Sequence, residues 1–190
     1  MSRRRFFLAA IAACTMWMSA CSQAVPTKIS VTQAQLEQGL QGHFPKQLPI
    51  AGLLQFEMQQ PQLALLPQTN QLHTVLKVQL SGSALRTVFS GEMQVRFGLA
   101  YDGRDRTVRA QRVEVLSLSL PEANPAIADM VQTYGLKLAQ QALQGFALYT
   151  VPEQDLALAD SLGLQPGAIT VTAEGLDVAI ESKPQSAAKP

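Results

Sequence analysis

Few side chains in this 190-residue sequence are of the types that usually perform catalysis or bind a metal. The two histidines, His43 and His73, are not spaced as paired ligands, and neither lies in a known nucleophile motif. Ser81-Gly82-Ser83 has the composition of a turn, and no glycine-rich phosphate loop precedes a helix. The sequence therefore predicts a protein that is not an enzyme and that has no cofactor and no metal.

Cys21 is the one side chain whose position predicts a covalent modification. It directly follows Met18-Ser19-Ala20, after three arginines at positions 3–5 and an apolar run over residues 6–17. A basic head, an apolar segment too short to span a bilayer and small residues before a cleavage site are typical of a secretory signal. The stretch resembles the lipobox of bacterial lipoproteins, with Met18 where leucine is more common.

The lipobox resemblance implies that Cys21 receives a diacylglycerol thioether and becomes an acylated N-terminus, with fatty acids such as palmitate. Two or three acyl chains give stable membrane anchoring where one gives only marginal binding. Ser22, rather than aspartate, resembles the outer-membrane sorting signal of enteric-type bacteria. The expected location is the periplasmic face of the outer membrane of a Gram-negative bacterium. The alternative is an ordinary secreted protein in which Cys21 is a free thiol, since Cys14 leaves with the signal.

The composition of the mature chain excludes an electrostatic binder of nucleic acid. Removing the signal takes three of the 15 basic residues and none of the 14 acidic ones, so 12 positive charges face 14 negative ones. A net charge near −2 provides no basic surface for phosphate backbones. About 165 residues remain, which is enough for one domain with a hydrophobic core.

Most of the mature chain has the period of two that is typical of strands with one buried face. This alternation covers Leu54 to Gln59, residues 63–65, 72–80 and 93–101, and then a return strand over 108–120 after the hairpin signal Asp102-Gly103. Two changes of phase in the return strand predict bulges in a strongly curved sheet. Residues 46–52 are predicted to be a loop.

Two helices of different length flank the strands. Thr32 and Gln35 form a capping-box pattern at the start of a short N-terminal helix. Asn124-Pro125 begins a long helix in the C-terminal half. Its apolar arc is wider than one flat sheet face covers, which suits a helix wrapped by a curved antiparallel sheet. The apolar residues at the centre of this arc are Ile127, Val131, Tyr134, Leu138 and Ala142.

The predicted fold class is therefore α+β, a curved antiparallel β-sheet around one long helix with a short N-terminal helix. The predicted boundaries are a signal peptide over 1–20, a lipidated N-terminus and tether over 21–31, a single domain over 32–181 and a disordered tail over 182–190. A short helix over 155–162 and a final pair of strands complete the domain.

The C-terminal part of the domain resembles a known family. Phe146-Ala-Leu-Tyr-Thr-Val-Pro and Gly163-Leu-Gln-Pro-Gly-Ala-Ile-Thr-Val are similar to the end of the YceB-like lipoproteins, a family of unknown function. The resemblance implies a fold similar to the tubular lipid-binding, BPI-like proteins, which hold lipids between sheet and helix. It implies no catalytic or binding residues for this chain.

Methionine and aromatic side chains on the inward faces are the candidate residues for a lipid cavity. They are Phe56, Met58, Met93, Phe97, Met130, Tyr134 and Leu138. Flexible methionines could line an adaptable cavity or fill a closed core. Five arginines between positions 96 and 112 form a second candidate surface, for lipid phosphates. The favoured interpretation of that surface is a solvated hairpin balanced by nearby carboxylates.

Two functions from different classes follow from the sequence. The first is a membrane-anchored lipoprotein that binds a lipid or other apolar ligand between sheet and helix. The second is a non-catalytic adaptor that docks an envelope protein through a sheet edge or the arginine hairpin. A continuous apolar cavity would favour the carrier, whereas a filled core with an exposed apolar patch would favour the adaptor.

Overall fold

A computed structural model describes residues 27–50, 53–59, 61–83 and 85–183, so Cys21 and the signal sequence lie outside the described residues. In chain order the elements are β1 (Lys28–Thr32), α1 (Gln33–Gln41), β2 (Lys46–Ile50), β3 (Leu54–Met58), β4 (Gln62–Leu66), a 3-10 turn (Pro67–Thr69), β5 (Gln71–Gly82), β6 (Phe89–Asp102), β7 (Thr107–Ser119), α2 (Pro125–Met130), a π-helical segment (Val131–Gly135), α3 (Leu136–Leu143), β8 (Ala147–Thr150), α4 (Glu153–Ser161), β9 (Leu164–Val171) and β10 (Gly175–Ser182). No helix in these ranges has the length and apolar composition needed to cross a membrane.

The strands form two antiparallel sheets. In the larger sheet the strand order is β2-β3-β5-β6-β7-β8, and in the smaller sheet it is β1-β10-β9. Strand β4 also pairs with β5, along a part of β5 that β3 does not reach. The β6–β7 register shifts at two places, where Leu116 has no partner and where Arg112 adopts a φ of 49°. Both places coincide with the changes of phase in the sequence, so the predicted bulges are confirmed. Bulges bend the strand and increase its twist, and the predicted α+β class with a curved sheet is confirmed.

The short N-terminal helix α1 begins as its sequence predicts. The backbone N–H of Gln35 donates to Thr32 Oγ1, and the backbone N–H of Thr32 donates to Gln35 Oε1 at 2.8 Å. This reciprocal capping box satisfies two backbone donors that the first helical turn leaves free. Leu36 and Leu40 then face the core, and α1 contacts β8 of the larger sheet and β1 and β10 of the smaller one.

The long helix differs from its prediction in phase, because Val131–Gly135 is π-helical. A π-turn contains more residues than an α-turn, so every later side chain is rotated away from its expected direction. The buried residues of the helix are Val131, Ala139 and Leu143. Tyr134, predicted to face inward, is 68% exposed, and Leu138, predicted at the centre of the buried side, is only half-buried.

The long helix covers an edge of the larger sheet. Strand β8 pairs with β7 only through Thr107, Val108 and Arg109, so the rest of that edge has no strand beside it. The helix contacts β7 there. The backbone N–H of Val113 donates to Gln144 Oε1 at 3.2 Å, and Gln132 Nε2 donates to the Leu118 carbonyl at 2.7 Å. Two backbone polar groups that have no neighbouring strand to pair with are thereby hydrogen-bonded.

Asn70 joins the two sheets. It ends the 3-10 turn before β5 in the left-handed region, with a φ of 53°, which asparagine tolerates better than most residues. Its Nδ2 donates to the Ile169 carbonyl at 2.9 Å, and its Oδ1 accepts from the Val171 N–H at 2.6 Å. The side chain therefore substitutes for a neighbouring strand at the edge of β9.

Two segments predicted to be irregular are strands. Residues 28–31 of the predicted tether belong to β1, where Ile29 and Val31 face inward beside β10. The predicted loop over 46–52 contains β2, in which Lys46, Leu48 and Ile50 alternate with exposed residues. Pro49 has no backbone N–H to donate to a second neighbouring strand. It is accommodated because β2 is the edge strand of its sheet.

Candidate functional site: an apolar cavity behind two phenylalanines

A small apolar cavity lies where the larger sheet meets α1, α3 and the start of β8. Its volume is about 30 Å³. Its lining residues are Leu40, Phe44, Pro61, Leu63, Thr74, Leu76, Val95, Phe97, Ala110, Leu143, Phe146 and Leu148. The one hydroxyl among them is satisfied, since Thr74 Oγ1 donates to the Gln62 carbonyl at 3.0 Å. The cavity wall therefore presents only apolar surface to an occupant.

The size of the cavity decides what it holds in this conformation. Sites for drug-sized ligands have volumes of roughly 300–1,000 Å³. A cavity of about 30 Å³ is an order of magnitude smaller and has room for a few heavy atoms. An apolar chain can enter only if part of the wall moves.

Phe44 and Phe146 form the part of the wall that is partly exposed to solvent. Their ring centroids are 5.6 Å apart, and the His43 ring packs edge-on against Phe146 at 5.5 Å. We refer to His43, Phe44 and Phe146 as the aromatic mouth. The other wall residues named above belong mainly to the buried core, so the aromatic mouth is the side from which an occupant would enter.

The backbone of the aromatic mouth is held by β7 and α3. Ala110 donates its N–H to the Phe146 carbonyl and accepts from the Gly145 N–H, both at 2.9 Å. Gly145 has a φ of 74°, which turns the chain out of α3, and no heavy atom would lie within 4 Å of a Cβ there. These hydrogen bonds fix the backbone at Phe146, and the space beside the Gly145 Cα is open.

A lysine adjoins the aromatic mouth from the inner face of the sheet. Lys46 is the first residue of β2 and lies directly opposite Met58, which is fully buried. Residues directly opposite in antiparallel strands share a face, so Lys46 lies on the core side. Its Nζ is 4.6 Å from the Phe146 ring centroid. A cation over an aromatic face is stabilised by the ring quadrupole.

The seven predicted lining residues have different places in the structure. Phe97 lines the cavity. Phe56, Met58 and Met93 are buried in a filled part of the core and do not line it, so the closed-core alternative describes them. Met130 is half-buried against the core, Leu138 is half-buried, and Tyr134 is exposed. The structure therefore does not bring the predicted set together.

Sequence reasoning missed the residues that the cavity actually unites, among them Phe44, Ala110, Leu143 and Phe146. They come from three separate segments, and none has a local signal stronger than being apolar. Lys46 had a usable signal: it occupies an inward position of the alternating run Lys46-Gln-Leu-Pro-Ile. A charged residue on the apolar side of such a run is unusual enough to suggest a site.

Four of the five arginines of the hairpin form ion pairs with carboxylates of the described residues. Arg96 Nη2 lies 2.8 Å from Glu114 Oε2 across the strands, and Arg109 binds Asp105. The hydrogen bonds that Asp102 accepts from the side chain and backbone of Arg104 lower its pKa to about 2. These contacts favour the interpretation as a balanced, solvated hairpin over a lipid-phosphate site.

A polar cleft of about 390 Å³ lies between this hairpin, α4 and β9. Burial, and then the charge of Asp160, raise the pKa of Tyr101 in its wall. Its two cations already have partners, since Arg106 lies 3.3 Å from Glu153 and Lys183 lies 3.2 Å from Asp160. Within the described ranges, no group of three or more His, Cys, Asp or Glu side chains could hold a metal ion.

Comparison with known proteins finds a weak similarity to a solved structure and assigns no family. No family model matches the sequence, and no curated protein matches it. A crystal structure of lipopolysaccharide binding protein matches with a TM-score of 0.33 and 11% identity, over 67% of this chain and 30% of that one. The chain thus spans less than a third of that protein. A similarity of this size assigns no ligand, and membership of the YceB-like lipoproteins stays a prediction.

Proposed function

We propose that the mature chain is a non-catalytic lipoprotein, anchored in the outer membrane by Cys21 and facing the periplasm, that binds an apolar ligand between sheet and helices. The observation that supports ligand binding is the cavity: its wall is apolar throughout, and its outer side consists of two half-exposed aromatic rings. The anchoring part of the proposal rests on the lipobox resemblance.

The energetics allow a chain to replace the rings. Moving two phenylalanine side chains out of apolar contact costs at most about 3–6 kcal/mol, and less here because both are already partly exposed. Each buried methylene contributes about 0.8 kcal/mol, so about eight methylenes offset the upper figure. An alkyl chain of ten or more carbons therefore has enough apolar surface to open the aromatic mouth, whereas a short one does not.

Filling part of the cavity is expected to weaken binding without harming the fold. Ala110→Val adds two methyl groups to the cavity wall on an inward strand position, where a β-branched side chain is favoured. Excluding two methylenes of ligand should weaken binding about tenfold. Binding of N-phenyl-1-naphthylamine, a neutral fluorescent probe, to residues 21–190 with Cys21→Ser would measure this, since that segment contains every element described above.

The matched variant Met93→Trp enlarges a side chain that is fully buried but does not line the cavity. Overpacking there should cost about 1–3 kcal/mol of stability, while the folded protein keeps its affinity for the probe. If Ala110→Val leaves probe binding unchanged, or Met93→Trp abolishes it without unfolding the protein, the cavity is not the binding site.

The anchor is tested separately in the bacterium that makes the protein. Cys21→Ser in the full chain removes the acyl acceptor, so we expect an unprocessed or soluble form that no longer incorporates an alkyne-labelled palmitate. Cys14→Ser, in the part that leaves with the signal, should change neither property. A Cys21→Ser protein that is still labelled and still enters the detergent phase would contradict the lipoprotein assignment.

An envelope adaptor is the second candidate function, and one observation favours it. Leu158 and Leu162, one turn apart at the end of α4, are 46% and 49% exposed. Apolar side chains presented together on a surface can dock a protein partner. If the wild-type protein takes up no apolar probe at all, this alternative replaces the carrier.

A further inference from the structure

We propose that the ligand is an anionic amphiphile with a single alkyl chain, whose chain enters the cavity through the aromatic mouth and whose headgroup is bound by Lys46. This inference rests on the proposed carrier function and extends it to a class of ligand. The argument comes from the position of Lys46, from its present partner, and from what happens to that partner when the cavity opens.

The position of Lys46 is unusual for a lysine. Strand β2 has its alternate residues Leu48 and Ile50 packed against the core, and Lys46 follows the same alternation. Its direct cross-strand neighbour Met58 has no exposed surface. A lysine at such a place has its stem against apolar side chains and its ammonium group at the boundary with water.

The ammonium group has no ionic partner in the part of the chain that the structure describes. The ion pairs formed there involve other cations, and no carboxylate lies within 4.0 Å of Lys46 Nζ. Glu57, the carboxylate on the facing strand β3, accepts a hydrogen bond from Gln47 on the outer face of the same strands. The Lys46 ammonium group instead lies over the Phe146 ring, in a cation–π contact.

Opening the cavity changes this one contact. Phe146 both lines the cavity and covers Lys46, so a rotation of its ring that admits an alkyl chain also removes the cation–π partner. The ammonium group is then left at the entrance, next to the end of the bound chain. An anionic headgroup at that end restores a charged contact, and a neutral or cationic headgroup does not.

The other cation near the entrance is already engaged. Arg109 Nη1 donates to the Gly145 carbonyl at 2.7 Å, and the same guanidinium binds Asp105 and lies 3.5 Å from Asp102. Lys46 is thus the cation available for a headgroup. The narrow cavity, which holds only a few heavy atoms when closed, favours one chain over two. A fatty-acid carboxylate and the phosphate of a single-chain phosphomonoester share this chemistry.

Four twelve-carbon amphiphiles that differ only in headgroup test the proposal. Dodecanoate, dodecyl phosphate, dodecanol and dodecyltrimethylammonium are titrated, below their micelle concentrations, against N-phenyl-1-naphthylamine bound to residues 21–190 with Cys21→Ser. We expect both anions to bind about three- to tenfold more tightly than dodecanol, because a partly exposed contact between opposite charges contributes about that much affinity. We expect the cation to bind more weakly than dodecanol. The tighter of the two anions identifies the source as a fatty acid or a phosphomonoester.

Variants of Lys46 then test whether this residue causes the preference for anionic headgroups. Lys46→Met keeps an unbranched stem and removes the charge. The affinity of this variant for the anions should therefore fall to its affinity for dodecanol, which should stay within about twofold of the wild-type value. Lys46→Glu should invert the order and favour the cation. Lys77→Met, a lysine exposed on the outer face of β5, is the matched control and should change nothing.

The outcomes separate this inference from the function on which it rests. If dodecanol and the anions bind equally, or if Lys46→Met leaves the preference for anions intact, the role of Lys46 is refuted while the carrier function stands. If none of the amphiphiles displaces the probe and the probe itself does not bind, both are refuted.

Discussion

Replacing Leu143 with aspartate is expected to unfold much of the protein at neutral pH, whereas the same replacement at Leu138 is expected to be tolerated. Leu143 is 7% exposed and packs into the core at the end of α3, so its replacement buries a carboxylate among apolar side chains. An uncompensated buried charge costs about 3–5 kcal/mol, a large part of the 5–15 kcal/mol that a domain of this size has. Urea denaturation followed by circular dichroism would measure both variants.

Leu138 is the matched control because it has the same side chain in the same helix, five residues earlier. It is half-buried and lies outside the set of side chains packed on the core, so a carboxylate there keeps contact with water. We expect a loss of at most about 1 kcal/mol, typical of a surface change. Equal losses at the two positions, or the larger loss at Leu138, would show that the π-helical segment does not set the phase of α3.

The strands and the first helix were predictable because their signals are local. The alternation on each side of Asp102-Gly103 defines β6 and β7 without any knowledge of their partners, and Thr32 and Gln35 are enough to form a capping box. The bulge at Leu116 was also predictable from the sequence, because two neighbouring apolar residues interrupt the period of two there.

The phase of the long helix was not predictable, because its cause lies in tertiary packing. The π-helical segment ends at Gly135, where a Cβ would meet the Leu118 side chain of β7 at 3.3 Å. The helix therefore packs against the sheet through a small residue there, and Val131, Gly135 and Ala139 follow each other at intervals of four. A straight α-helix rotates by about 40° over each such interval, and a π-turn compensates for that rotation.

The candidate site was only partly predictable for a related reason. Inward methionines and aromatics identify core faces, yet a void forms where segments distant in sequence fail to fill the space between them. Leu40, Ala110 and Phe146 meet at the cavity because α1, β7 and the start of β8 converge there, and no pattern within one segment reports that convergence. Phe97 was found because it lies on the long alternating strand β6.

A methyl group added at Gly91 is expected to destabilise the protein strongly, although Gly91→Ala is a small change. Gly91 lies near the start of β6, where the end of β7 passes close to its backbone. A Cβ at this position would overlap the Ser119 carbonyl oxygen and lie 2.9 Å from the Leu120 side chain. The first contact is with strand backbone, which cannot move aside without breaking the β6–β7 pairing at its end.

The expected loss for Gly91→Ala is about 3 kcal/mol or more, at the upper end of what overpacking costs, and thermal denaturation would detect it as a marked fall in Tm. Gly42→Ala is the matched control: that glycine has an ordinary φ of −73°, and no atom lies within 4 Å of the added Cβ. There the smaller entropy of the unfolded chain should leave stability unchanged or raise it by about 0.4–1 kcal/mol. β7 leads from Ser119 through Leu120 towards the long helix, which begins at Pro125 with Asn124 as its N-cap. If Gly91→Ala were as stable as Gly42→Ala, the end of β7 would not lie against β6 as described, and the helix would have to reach the sheet by another path.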